Sequence, residues 1–303
     1  MNRILRTLLS LPACIAPTTA QDSPAPPTPQ KELGTVVWQR DFEAALADAK
    51  QQQKPLFLLF QEVPGCETCT GFGQNVLSHP LLKDAIEQCF VPVVVRNNVE
   101  GAEGKIRERF EEPAWNNPVV RFLDQSGKDL LPRQDLLFDA HRIAARMIAS
   151  LTKANRPVPG YLQVAFHESA PNTATAVFQM HCFWEGEAVL GSLDGVVTTK
   201  SAFANGAEVV EVTFRPEVLT KLELSDRATA KSCKPVVAES LKVADPSDQQ
   251  HALLGTIYAK LELTPMQRTK VHAALTLGSE PRVWLSPTQL RQMEQLEQGP
   301  APR

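Results

Sequence analysis

The sequence predicts an α/β chain folded as two units, on three observations. Short apolar runs of strand length alternate with segments of helical periodicity between residues 34 and 156, the order expected of helices layered on a sheet. The stretch "NRPVPG" (155–160) breaks that alternation with the composition of a boundary, and a second mixture of strand-like and helical segments follows. At 303 residues the chain can bury a separate core on each side of the break. A net charge of -3 supplies no basic surface, which excludes nucleic acid as a partner class.

From the N-terminus, residues 1–20, "MNRILRTLLSLPACIAPTTA", combine early arginines, a short apolar segment and a small-residue ending. This is the pattern of a secretory signal peptide, too short to span a membrane. Within it "LPAC" resembles a bacterial lipobox, which would lipidate Cys14, although Pro12 departs from the usual residue there. Residues 21–33 are proline-rich and polar and read as a linker. The first folded unit spans 34–156. Phe42, Ala45, Leu46 and Ala49 lie at helical spacing behind a capping Asp41, and Pro55 opens the buried strand "LFLLFQ" (56–61). A helix interrupted at Pro80 runs to Cys89. Then come the strand "FVPVVVRN", a helix around "GKIRERFEE", the strand "NNPVVRFLD" and a helix over 139–154. The second unit, 160–285, is α+β: a strand at 173–180, a helix from Cys182 to about Leu193, a strand at 207–214 and a helical tail over 248–261 and 264–277. Residues 286–303 read as a terminal helix and tail.

Chemistry concentrates in "VPGCETCT" (63–70), where Cys66 and Cys69 stand between a buried strand and a helix start. Helix-end amides stabilise a thiolate at the first cysteine, and the second, one turn on, reaches a mixed disulfide formed there. Zinc is the alternative use of a CxxC, but a structural site takes four ligands and no second cluster of Cys or His accompanies this pair. A permanent disulfide is the other, though so short a loop restricts the unfolded chain little. Removal of the signal leaves Cys66, Cys69, Cys89, Cys182 and Cys233, an odd number that argues against a disulfide-stapled scaffold. Cys89, inside an apolar run, reads as core. No metal or organic cofactor is required.

The opening "WQRDFEAALADAKQQQKPLFLLF" followed by CxxC resembles secreted members of the thioredoxin superfamily over residues 34–154, and "VPGC" is similar to the subset in which V-P-G precedes a cysteine or selenocysteine. The resemblance implies a thioredoxin-like fold and a cis-proline facing the cysteines, with Pro118 of "NNPVV" as the match and an ordinary strand-start proline as its alternative. Glu67 and Thr68 replace the usual Gly-Pro between the cysteines. A carboxylate beside Cys66 is expected to raise its pKa and make the pair a reductant.

Downstream, "HCFWEGE" (181–187) sets Cys182 at a helix start, with Phe183 and Trp184 as an aromatic wall suited to a methyl thioether or sulfoxide; a buried Cys-Phe-Trp cluster is the plainer alternative. "CFWEGEAVLGSLDGV" and "AEVVEVTFRPEVLT" resemble, in order, two signature regions of A-type peptide methionine sulfoxide reductases. The resemblance implies a Cys182 nucleophile, a methyl pocket of Phe183 and Trp184, and Glu208 as the acid that protonates the sulfoxide oxygen. The departures are His181 and Glu185 in place of glycines, and Phe203 in place of an oxygen-binding tyrosine. A further signature element is reduced to "DPSDQQHALLGTIY", with Asp248 and His251 in loosely equivalent places. Cys233, in "AKSCKPV", is either a resolving thiol for Cys182 or a surface cysteine.

Together these readings predict an oxidoreductase acting on sulfur groups in the periplasm, secreted, or lipid-anchored through Cys14. Its Cys66–Cys69 pair would draw electrons from a membrane thiol donor and pass them to a sulfoxide-reducing Cys182, with oxidised proteins as substrates. The alternatives are a general thiol–disulfide reductase whose C-terminal domain only binds substrate, and a binding protein without chemistry, in which Cys182 would be unreactive.

Overall fold

The computed structural model describes residues 30–299. The signal peptide, Cys14 and most of the proline-rich linker lie outside them. Lys31–Leu33, expected to extend the linker, instead forms a 3₁₀ turn. The turn packs on the helix after the cysteine pair, where Gly34 and Gly73 let the backbones meet: a Cβ on Gly73 would lie 1.9 Å from the Lys31 carbonyl oxygen.

The first unit is mixed α/β, in the order α1 (Phe42–Gln52), β1 (Leu56–Gln61), α2 (Glu67–Phe72), a π turn (Gly73–Leu77), α3 (Pro80–Cys89), β2 (Val91–Arg96), α4 (Ala102–Arg109), β3 (Val119–Leu123) and α5 (Ala140–Lys153). Asp41 caps α1 by accepting from the Glu43 and Ala44 amides, and Pro80 starts α3 rather than kinking it. The sheet order is β2-β1-β3, with β1 parallel to β2 and antiparallel to β3. Strand β1 is buried throughout because both faces are covered. Leu56, Leu58 and Phe60 face α1 and Phe110, while Phe57 and Leu59 face α3 and α5.

Helix α6 (Gly160–Glu168) follows the predicted boundary and packs on α5, where Tyr161, Leu162, Val164 and Ala165 join the core of the first unit. The second sheet has the order β7-β4-β6-β5-β8, all pairs antiparallel: β4 (Ala174–Gln179), β5 (Val196–Ala204), β6 (Ala207–Phe214), β7 (Lys234–Val236) and β8 (Lys242–Val243). Helices α7 (Phe183–Gly191), α8 (Lys221–Thr229), α9 (Pro265–Leu277) and α10 (Pro287–Gln298) complete it. The expected helix over 248–261 is three separate 3₁₀ turns, since Gln250 and Gly255 adopt left-handed backbone that ends each run. Strand β5 and helix α8 were not expected.

Two carboxylates join the halves. Buried Asp84 on α3 accepts from the Thr288 amide (3.0 Å) and hydroxyl (2.8 Å) at the start of α10, and Glu168 accepts from the Met266 amide (2.8 Å) at the start of α9. Each places negative charge at a helix N-terminus, where the dipole favours it. Among the described residues, no helix is long and apolar enough to cross a membrane.

Candidate functional sites

Cys66 ends the loop after β1 and is the N-cap residue of α2, with extended backbone (φ -73°, ψ 179°). Cys69 lies one turn on, buried, and the two sulfurs are 3.6 Å apart and unbonded. The two thiols are opposite in character. The Cys69 backbone amide, opposed by burial and helped by the Cys69 thiol and the Thr68 amide and hydroxyl, holds the exposed Cys66 thiol below its ordinary pKa. Burial, then the hydrogen bond and charge of Cys66, push Cys69 up to about 12. This corrects the expected rise at Cys66: Glu67 is not among the groups that set it, and Thr68, given no such part in the sequence reading, is. A stabilised thiolate favours the dithiol form, so the argument for a reductant from Glu67 falls with it.

The loop is strapped from three directions. Glu32 accepts from the Gly65 amide (2.9 Å), Asn98 accepts from the Val63 amide (3.2 Å) and donates to the Pro64 carbonyl (3.3 Å), and Gln61 donates to the carbonyls of Glu32 (2.7 Å) and Cys69 (3.0 Å). Gly65 is obligatory by contact, since a Cβ there would lie 2.4 Å from the Glu62 carbonyl oxygen and 2.6 Å from the Cys69 Cβ. Pro118 precedes β3, one register step past Phe60↔Val119, and so sits opposite Gln61 at the cysteine end of β1. Its peptide bond is trans; the cis bond among the described residues is Val63–Pro64, inside the motif. The cis bond expected at Pro118 is therefore not found there. Glu62 was not anticipated either: its carboxylate and both sulfurs lie within 4.8 Å of one another. Two thiols and one carboxylate make three donors where a closed zinc site takes four.

Cys182 is likewise an N-cap residue, of α7, at the exit of β4. Glu208 accepts from the Phe183 amide at 2.7 Å. The two-residue turn Asn205-Gly206, both at positive φ, closes the β5–β6 hairpin and sets Phe203 opposite Glu208. Phe203 also stands edge-on to Phe183, ring centroids 5.4 Å apart. Trp184 is 38 % exposed and has the His251 imidazole stacked on it, centroids 4.0 Å and planes 9° apart. The turn bearing His251 is fixed from below. Buried Glu187 accepts from the Gln250 amide (2.8 Å), and His272 accepts from the Ala252 amide (3.2 Å) with its other nitrogen at the Trp184 carbonyl (3.3 Å). Burial raises Glu187 to about 7 and lowers His272 to about 4. His272 is thus neutral near pH 7, donating from Nε2 to the Trp184 carbonyl.

Cys233 is buried, 3.6 Å from the Lys231 carbonyl, which replaces the surface-cysteine alternative with a core position; burial raises its pKa. One register step beyond Gln179↔Lys234 puts it opposite Met180, two residues before Cys182. Cys89 is half-buried against the first core, 3.8 Å from the Tyr161 hydroxyl. A groove of about 480 Å³ between α3 and α10, lined by Lys83, Asp84, Glu262 and Gln289, includes none of the residues of either cysteine site.

Residues 37–125 match a family model described as thioredoxin-like, and the chain carries a thioredoxin-like domain there. A peptide methionine sulfoxide reductase of Methanococcus maripaludis is 31 % identical over 70 residues, covering 18 % of this chain and 45 % of that protein. The chain thus spans less than half the length of this relative. A solved structure described as DsbH oxidoreductase aligns over 44 % of this chain and 94 % of its own at 18 % identity, with a TM-score of 0.33.

Proposed function

We propose that the chain is an exported thiol–disulfide redox protein whose Cys66–Cys69 pair supplies electrons to Cys182, which reduces methyl sulfoxides of methionine in oxidised proteins. The observation that carries the reading is the asymmetry of the pair: an exposed, stabilised Cys66 thiolate with a buried, protonated Cys69 at 3.6 Å. Such a pair is built for exchange. Cys66 attacks a disulfide or sulfenic acid, and Cys69, once deprotonated, displaces the reduced product as the Cys66–Cys69 disulfide forms. Glu62, within 4.8 Å of both sulfurs, is a base available for the Cys69 proton.

At the second site, Cys182 attacks the sulfoxide sulfur and is left as a sulfenic acid with release of the thioether. The carboxylate at Phe183 and the exposed indole of Trp184 support this reading, as does the partial similarity to a methionine sulfoxide reductase. Cys233, beside Met180 in the strand register, fits the part of resolving thiol once the local strand pair opens. The electron donor is a membrane thiol protein of the cell envelope, and export rests on the sequence of residues 1–20. The test is turnover of a methyl sulfoxide by the full chain with dithiothreitol. Turnover is expected in the wild type and in Cys66→Ser, because dithiothreitol replaces the pair, and is lost in Cys182→Ser; equal turnover in Cys182→Ser refutes it.

A further inference from the structure

Three protein donors fall short of a closed zinc site, but an open one takes three and completes itself with water. The redox loop gathers such a set: the Glu62 carboxylate and the Cys66 and Cys69 sulfurs lie within 4.8 Å of one another. The spacing of the sulfurs discriminates between geometries. Two sulfurs each about 2.3 Å from one ion stand about 3.8 Å apart at a tetrahedral angle and about 4.6 Å apart on opposite sides of it. The observed 3.6 Å fits the first and is too short for the second. Glu32, the other carboxylate against the loop, is taken by the Gly65 amide. Half-buried Glu62 has no hydrogen-bond or ion-pair partner among the described residues, so its oxygen is free to close on the sulfurs. A tetrahedral site asks for about 3.6 Å from that oxygen to each sulfur, a shift on the order of 1 Å.

From this juxtaposition we propose that the reduced Cys66–Cys69 pair and Glu62 bind one zinc ion, with water on the exposed Cys66 side as fourth ligand, and that the bound ion withholds the pair from thiol–disulfide exchange. Two thiolates and one carboxylate suit zinc, because Ca²⁺ and Mg²⁺ take oxygen donors while thiolates select softer ions. Binding exchanges protons for the ion: the thiol protons of the pair pass to solvent and no electron moves. The disulfide offers no thiolate, so the ion belongs to the reduced pair alone. The backbone around the donors is already fixed. Gln61 holds the Cys69 carbonyl, Glu32 the Gly65 amide and Asn98 the Val63 amide. The site is independent of Cys182 and of any sulfoxide chemistry.

The test uses the full chain, reduced with a phosphine and stripped of metal. Zinc titrated against a chromophoric chelator should bind at about one ion per chain. Co²⁺ in its place should give the intense visible bands of a tetrahedral site together with sulfur-to-cobalt charge transfer. Saturating zinc should slow alkylation of Cys66 at least about tenfold, with EDTA restoring it. Glu62→Gln should weaken zinc roughly 10- to 100-fold. The Cys66→Ser, Cys69→Ser double variant should lose the site, and Cys182→Ser should keep it. Thermal melting of the metal-free proteins identifies any variant that misfolds. Zinc binding that survives in the double variant, or that a folded Glu62→Gln leaves unchanged, overturns the proposal. So does a wild-type chain that binds no zinc, or one whose Co²⁺ complex shows only weak octahedral absorption, whatever the variants do.

Discussion

At the scale of single residues, the redox loop is held together by backbone contacts that tolerate no side chain. Gly65→Ala would force its Cβ against the Glu62 carbonyl and the Cys69 Cβ, an overpacking that costs about 1–3 kcal/mol or displaces α2. The expected result is a lower melting temperature together with slower alkylation of Cys66 at pH 7, because the thiolate loses its aligned Cys69 and Thr68 amides. Unchanged melting and alkylation would show that the loop has more room than the contacts allow. Cys66, Cys69, Cys182 and Glu208 were named from the sequence, the pair by its spacing and Glu208 by resemblance alone. The groups that tune them were not. Thr68 acts through a hydroxyl direction, Glu62 through proximity set by the turn, and Glu32 from a segment that reads as a proline-rich linker.

At the scale of elements, the second site depends on how the 249–253 turn is pinned to α7. Glu187 binds its proton more tightly folded (pKa about 7) than at its ordinary 4.5. Its contribution to stability is therefore fully present below about pH 4.5 and lost as pH rises through about 7, an effect on the order of 3 kcal/mol. Glu187→Gln keeps an acceptor for the Gln250 amide without the proton equilibrium. Denaturation of both proteins from pH 4.5 to 8 should show the variant gaining stability relative to wild type across that window. A constant difference would mean Glu187 stays ionised in the fold. Strands β1, β2, β3, β4 and β6 and helices α1, α5 and α7 were readable from periodicity. Strand β5 was not, since "VVTTKSAFA" sets four polar residues in a row, Thr198–Ser201, between its apolar ends and so lacks strand alternation. Helix α8 did carry a signal: Thr220 and Glu223 form a capping box. The 248–261 stretch misled because its apolar residues fit helical spacing while Gln250 and Gly255 break the backbone.

At the scale of the molecule, the two units do not behave as beads on a linker. Helix α6 belongs to the first core, Val197 and Met266 of the second unit join that core, and Asp84 and Glu168 cap α10 and α9 across the divide. Sequence composition marked 155–160 as a boundary but could not say which core the next helix would enter, because a short amphipathic helix fits either. Asp84→Ala removes a buried acceptor from the start of α10 and should cost about 1–2 kcal/mol in urea denaturation. Both units should still lose structure in one transition; separate transitions in the wild type would show that the contact between units contributes little.

The central claim is that electrons pass from the Cys66–Cys69 pair to Cys182, and a reductant-free turnover tests it most directly. The fully reduced chain is given excess methyl sulfoxide with no external thiol, the thioether is counted, and the disulfides are mapped by mass spectrometry. The account predicts about two thioethers per wild-type chain, one from Cys182 and one after the pair restores it, with a Cys66–Cys69 disulfide at the end. It predicts about one from the Cys66→Ser, Cys69→Ser double variant and none from Cys182→Ser. The same yield from wild type and the double variant, with Cys66 and Cys69 still reduced, would contradict it.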